Sequence, residues 1–226
     1  MPITRKNVIL TLDTECSGLA DPVYDIGWVI HDKAGKVAVE RQFFVREVIT
    51  NPDRMIKAYF ARKIFTDYIP MLDAQVARLT DWADIAAELA DDMRTYEVNV
   101  ISAYNLGFDV RAMRITNDLF GNVDKIVPQS VKILDLWQFS CEVLLNTPTY
   151  KEMARANGWV TPKGNIQTSA EMSYRFITGD TDFIEAHTAL DDAQIETEIA
   201  ARCFAKKRRI PYGVMNAHPW RIVNAA

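Results

Sequence analysis

The stretch NVILTLDTECSGLA, Asn7–Ala20, reads as a β-strand built for burial that ends in two carboxylates. Five of the six residues from Val8 to Asp13 suit the middle of a sheet, and a near-continuous apolar run is the pattern of a strand covered on both faces. Side chains alternate between faces along a strand, so Asp13 and Glu15 project together, with Cα atoms roughly 6.5–7 Å apart. Two like charges at the end of a buried strand call for something positive, because an unpaired buried charge is very costly. Arg or Lys would serve. A divalent cation with oxygen ligands serves better, since both carboxylates can share one ion. Taken alone, the pair also fits a solvated strand edge.

The rest of the chain builds outward from this strand. DPVYDIGWVIHDKAGKVAVERQFFV predicts two further strands joined by a turn at Asp32–Lys36. DWADIAAELADDMRTY predicts a helix with Trp82, Ile85, Ala86, Leu89, Met93 and Tyr96 on one stripe and acids on the other side. VNVISAYN is a strand, a helix begins near Phe108, and VKILDLW is another strand. From there to about Lys207 the pattern is helical, with Gly158 as a stop, Thr168 and Glu171 as a capping box and Pro211 ending the last helix. Residues 47–80 show no clear period; DRMIKAYFARKIF is compatible with a helix. The order predicts one α/β domain over residues 1–226, with a mixed sheet that starts antiparallel.

Two more acids stand out. Asp109 falls just after a strand at a helix start, where an acid also favours the helix dipole. Asp192 lies in AHTALDDAQIETEIAARCF. At 100° per residue, Ile199 and Cys203 fall within about 20° of it, so Asp192 sits on the inward apolar stripe while Asp191 shares the solvated side with Glu198 and Arg202. An inward acid asks for a buried partner. His187 would lie about 140° away on a continuous helix, so it can join Asp192 only from the incoming loop.

Together DTECSG, YNLGFD and HTALDDA resemble, in order and general spacing, the three motifs of the DEDDh (DnaQ-like) 3′–5′ exonucleases. The resemblance implies a ribonuclease H-like fold, a central mixed five-stranded sheet flanked by helices. It implies a metal-dependent exonuclease that removes nucleotides from a free 3′ end, with single-stranded DNA the favoured substrate. Asp13, Glu15, Asp109 and Asp192 would hold two Mg²⁺ or Mn²⁺ ions, about 3.5–4 Å apart in such sites, and His187 would act as general base. Four carboxylates and two divalent ions balance in charge. Thr14, Cys16, Ser17 and Leu19 would meet the terminal nucleotides, and Tyr104 and Asn105 would buttress Asp109. Cys16 and Ser17 depart from the Thr residues more common there, and no His-Gly-Ile-Thr-like stretch precedes the first long helix. Alternatives in the same frame are an exoribonuclease of the RNase T or oligoribonuclease kind and a proofreading partner of a DNA polymerase. A binding domain that kept the fold without catalysis is set against the presence of all five catalytic positions. Relatives that pair make a homodimer compatible with the resemblance.

Composition bounds these expectations. The 226 residues carry a net charge of −4, so bulk positive charge does not hold this chain to nucleic acid. Cys16, Cys141 and Cys203 are widely spaced with no CxxC, which predicts reduced thiols in a cytoplasmic protein. The apolar run after MPITRKN is too short for a signal peptide or a membrane span. Lys206–Arg209 reads as cations complementing a helix C-terminus. Arg54, Lys57, Arg62 and Lys63 interleave with Tyr59, Phe60 and Phe65, either as a strand-binding surface or as core aromatics beneath solvated bases. Asp135, Trp137, Trp159, His31 and His218 receive structural readings.

Overall fold

The computed structural model describes residues 8–121, 125–207 and 209–225; Asn7, at the start of the predicted first strand, and Arg208 lie outside them. Strand β1 (Ile9–Cys16) runs antiparallel to β2 (Val23–His31), and β2 antiparallel to β3 (Val37–Val45). The β2–β3 turn falls where the sequence places it. The Gly35 N–H donates to the Asp32 carbonyl at 2.9 Å, and Gly35 takes the φ of +79° that such a turn demands. On its other side β1 runs parallel to β5 (Val100–Ala103), and β5 parallel to β6 (Lys132–Asp135).

A sixth strand, β4 (Arg78–Thr80), lies parallel to β3 at the sheet edge, giving the order β4-β3-β2-β1-β5-β6. Five strands were expected; three residues are too few to show alternation, so the sixth leaves no mark in the sequence. The stretch before it is likewise broken into α1 (Arg46–Ile49), α2 (Pro52–Met55), a π-helical turn at Ile64–Tyr68 and α3 (Ile69–Asp73), in place of one helix over 53–65.

The longer helices are α4 (Trp82–Thr95), α5 (Leu106–Phe120), α7 (Pro148–Ala156), α8 (Ala170–Thr178) and α9 (Ala189–Lys206), with short α6 (Leu136–Ser140) and α10 (Trp220–Asn224). Helix α10 follows Pro211, so the expected end of helical structure there is corrected. The α8 cap is Ser169, whose side chain accepts from Met172 N–H, one residue later than the expected Thr168; Thr168 instead accepts from Trp137 Nε1 at 2.8 Å. Asp92 also departs from its expected outward face: it is buried and accepts from Trp28 Nε1 at 3.0 Å.

Alternation along β1 divides the core. Val8, Leu10 and Leu12 pack with Trp82, Leu89 and Met113 of α4 and α5, whereas Ile9 packs with Phe139, Ile199 and Cys203 on the α9 side. Asp13 and Glu15 share the Ile9 face by the same period. Two features of β2 seat the start of α9 there. Gly27, the cross-strand partner of Asp13, lies so close to α9 that a Cβ would stand 2.4 Å from Leu190 N. Beside it, Asp25 is fully buried and accepts from Ala189 N–H at 3.1 Å, satisfying a helix-start donor that Thr188 leaves uncapped. The first turn of α9 is thereby fixed above the end of β1. Among the described residues no helix is long and apolar enough to cross a membrane, and the three cysteines are free thiols.

Candidate active site

Four elements meet where β1 ends. β1 brings Asp13 and Glu15, and its register against β2 shifts between Glu15 and Cys16. Asp109 lies in the first turn of α5 and is 2% exposed, and its Oδ1 accepts from Thr14 Oγ1 at 2.9 Å. Thr14 points to the opposite face from its neighbours, and its side chain anchors Asp109. Asp192 comes from the first turn of α9, facing inward as the helical period predicts. His187 sits on the loop before α9, in a left-handed backbone conformation with φ +54°. Its N–H donates to Asp192 Oδ1 at 3.3 Å, and its Nδ1 stands 4.0 Å from Asp192 Oδ2. Ligand atoms of Glu15, His187 and Asp192 all lie within 4.8 Å of one another.

A fifth carboxylate joins them that the sequence reading passed over. Glu196 is one turn beyond Asp192 on α9, 2% exposed, and its Oε2 accepts from Tyr104 N–H at 3.0 Å. It lies about 40° from Asp192 on the helical wheel, so the spacing that marked one acid could have marked both. Glu185 is close as well, its Oε2 3.9 Å from His187 Nδ1.

Electrostatics here are set by burial and crowding. Burial holds the Asp13 carboxyl well above the usual range, reinforced by Asp109, Asp192, Glu196 and Glu15. Glu15 is pushed up to about 8 by burial and then Asp25, Asp109 to about 7 by burial against the opposing Thr14 hydroxyl, and Asp192 to about 9 by burial, Glu185 and Glu15. Glu196 is raised by burial and Asp109, and Glu185 to about 7 by burial and Glu171. Lys63 is a cation that opposes these shifts at Glu15 and Asp192. A group of buried oxygen donors that repel one another fits hard divalent cations, which offset such repulsion.

The segment just before the π-helical turn reaches across to His187. Phe60 stacks on the His187 ring, centroids 4.6 Å apart and planes 22° from parallel. Lys63 Nζ donates to the His187 carbonyl at 2.7 Å and to the Ala186 carbonyl. Burial, followed by Lys63, lowers the His187 pKa. Neither contact could be inferred from 47–80 alone, since each joins residues more than a hundred positions apart.

The remaining expected contacts divide. Cys16 and Ser17 are half-buried just past Glu15, and Leu19 stands 79% exposed beyond them. The Tyr104 hydroxyl donates to the Thr168 carbonyl at 2.6 Å and pairs with Ser173, while its backbone N–H holds Glu196. Asn105 takes a left-handed conformation at the start of α5, and its side chain does not cap the helix. Asp135 caps α6 through Gln138 N–H, and His31 is buried between Thr11 and the Asp32 carbonyl, both structural roles.

No protein-family model matches the chain, and no curated protein matches it in sequence. Solved structures do. The exonuclease I of E. coli in complex with a dA16 oligonucleotide is 16% identical with a TM-score of 0.54, over 89% of this chain and 41% of that one. The zinc-bound form of the E. coli exonuclease I–single-stranded DNA complex gives 16% and 0.51, over 86% and 40%. The moderately thermophilic exonuclease I from Methylocaldum szegediense gives 16% and 0.53, over 87% and 40%. The likeness is one of fold: this chain shares with those enzymes the ribonuclease H-like arrangement of a mixed sheet flanked by helices, and it spans about two fifths of their length.

Proposed function

We propose that the chain is a metal-dependent 3′–5′ exonuclease acting on single-stranded DNA. The observation that carries this reading is the mutual repulsion that ties Asp13 to Glu15, Asp109 and Asp192, with Glu15 and Asp192 beside a histidine fixed on its own loop. The solved structures of like fold are exonucleases, two of them bound to single-stranded DNA and one of those zinc-bound.

The four acids would hold two divalent ions, Mg²⁺ or Mn²⁺, with Glu196 adding negative charge beside them. Ions so held stabilise charge building on a phosphate and activate water near neutral pH. The protein's own groups do the rest. His187 accepts the proton of the attacking water; its lowered pKa keeps the ring neutral and receptive near pH 7. Phe60 and Lys63 fix the ring and the loop that present it. Thr14 keeps the Asp109 carboxylate aimed at the site.

The test is degradation of 5′-labelled single-stranded DNA with Mg²⁺, Mn²⁺ or EDTA. Stepwise shortening from the 3′ end is expected with metal, and none with EDTA or in Asp13→Ala. Shortening that persists in either condition would refute the mechanism.

A further inference from the structure

Three of the apolar side chains left most exposed by the fold lie in one short segment that contacts the His187 loop. Among the described residues, the five most exposed large ones are Tyr59 (84%), Ile56 (82%), Leu19 (79%), Phe65 (77%) and Ile184 (75%). Leu19 follows Glu15 by four positions and Ile184 precedes His187 by three. The other three belong to the 56–65 segment, which touches the site through Phe60 and Lys63. Tyr59 packs edge-on against Phe60, centroids 4.8 Å apart at 88°. Tyr59 is thus one ring removed from His187, with most of its surface in water.

Exposed apolar surface concentrated in one segment marks an interaction site, and local charge identifies its occupant. From Arg54 to Thr66 the chain carries four cations and no acid, although its net charge is −4. Lys57 and Arg62, two and three positions from Tyr59, are both exposed. An open ring between cations suits bases and phosphates of an unpaired strand: the ring stacks on a base face and the cations meet the backbone. Duplex DNA hides those faces in its own stack.

We propose that Tyr59, flanked by Lys57 and Arg62, is a base-stacking contact for single-stranded nucleic acid leading away from the 3′-terminal nucleotide. This rests on the exonuclease reading for the position of that terminus.

The test is binding without turnover. Fluorescence anisotropy follows 5′-fluorescein oligo(dT) and oligo(U) of about twelve nucleotides, within the usual site size, in EDTA and again with Ca²⁺. Tyr59→Ala is expected to weaken binding about tenfold, as loss of one stacked base would, while Tyr59→Trp retains it. Replacing Lys57 and Arg62 together by Ala should flatten the dependence of log K on log salt by about 1.4, that is about 0.7 for each phosphate contact. Loss with oligo(dT) alone or with both oligomers supports the contact and separates a DNA surface from a shared one. Wild-type affinity of Tyr59→Ala for both would overturn it. So would an unchanged affinity with a lower sedimentation mass, which would make Tyr59 a contact between copies of the chain. The catalytic reading fails separately: if Asp13→Ala still degrades DNA while Tyr59→Ala loses affinity, the acids are misassigned and this surface stands.

Discussion

Glu196 shows how one residue can be held by structure and still be under tension. Its carboxylate accepts a backbone N–H from Tyr104, which satisfies one oxygen, yet it stands buried among Asp13, Asp109 and Asp192. Glu196→Gln keeps an acceptor for that N–H and removes the charge. In EDTA the variant is expected to be more resistant to urea than wild type near pH 8, because it no longer forces a charged or protonated acid into the cluster. Its Mn²⁺ affinity, by titration calorimetry, should fall about 10–100-fold, the usual effect of removing a supporting group around a metal. A variant less stable in EDTA with unchanged Mn²⁺ affinity would make Glu196 a purely structural acceptor.

At the scale of elements, the site depends on how closely α9 approaches β2. Gly27 allows it: any side chain there meets the backbone of Ala189 and Leu190, which cannot yield without moving the first turn of α9. Gly27→Ala should therefore destabilise by about 1–3 kcal/mol, the range for overpacking a filled interior. It should also lower the proposed nuclease activity at temperatures where the variant is fully folded, since Asp192 and His187 move with that turn; full activity in the folded variant would separate the site from the seating of α9. Strand β1 and helix α9 were legible because their periods of 2 and 3.6 show which face each acid takes. Gly27 was visible as a glycine inside a strand, but its reason, a helix more than 160 positions away, was not. The same limit hid Asp25 as the cap of α9 and Phe60 and Lys63 as the hold on His187. Residues 47–80 resisted reading for a local reason: four short helical pieces and a three-residue strand give no period long enough to detect.

Across the whole molecule, the buried acids should govern how stability varies with pH. Folding raises Glu15 from its ordinary 4.5 to about 8, Asp109 from 3.8 to about 7 and Asp192 from 3.8 to about 9. Between those limits the folded form holds more protons than the unfolded chain, so stability falls as pH rises. His31 has the opposite sign: burial lowers it from 6.5 to about 4, so its contribution is complete above pH 6.5 and is lost as pH drops toward 4. The two slopes oppose each other in acid, and above pH 6.5 the carboxylates set the slope, joined near pH 9 by the cysteine thiols, whose raised pKa has the same sign. In EDTA the melting temperature is expected to fall between pH 6.5 and 9, and for a chain of this size each kcal/mol lost moves it by about 2–4 °C. Mn²⁺ or Mg²⁺ should reduce or reverse that fall, because bound cations favour the deprotonated carboxylates and their binding releases protons. Asp192→Asn should flatten the EDTA profile without any metal. Differential scanning calorimetry in matched buffers measures all three, and a melting temperature that climbs through this range in EDTA would mean that the acids are not crowded in the way their burial dictates.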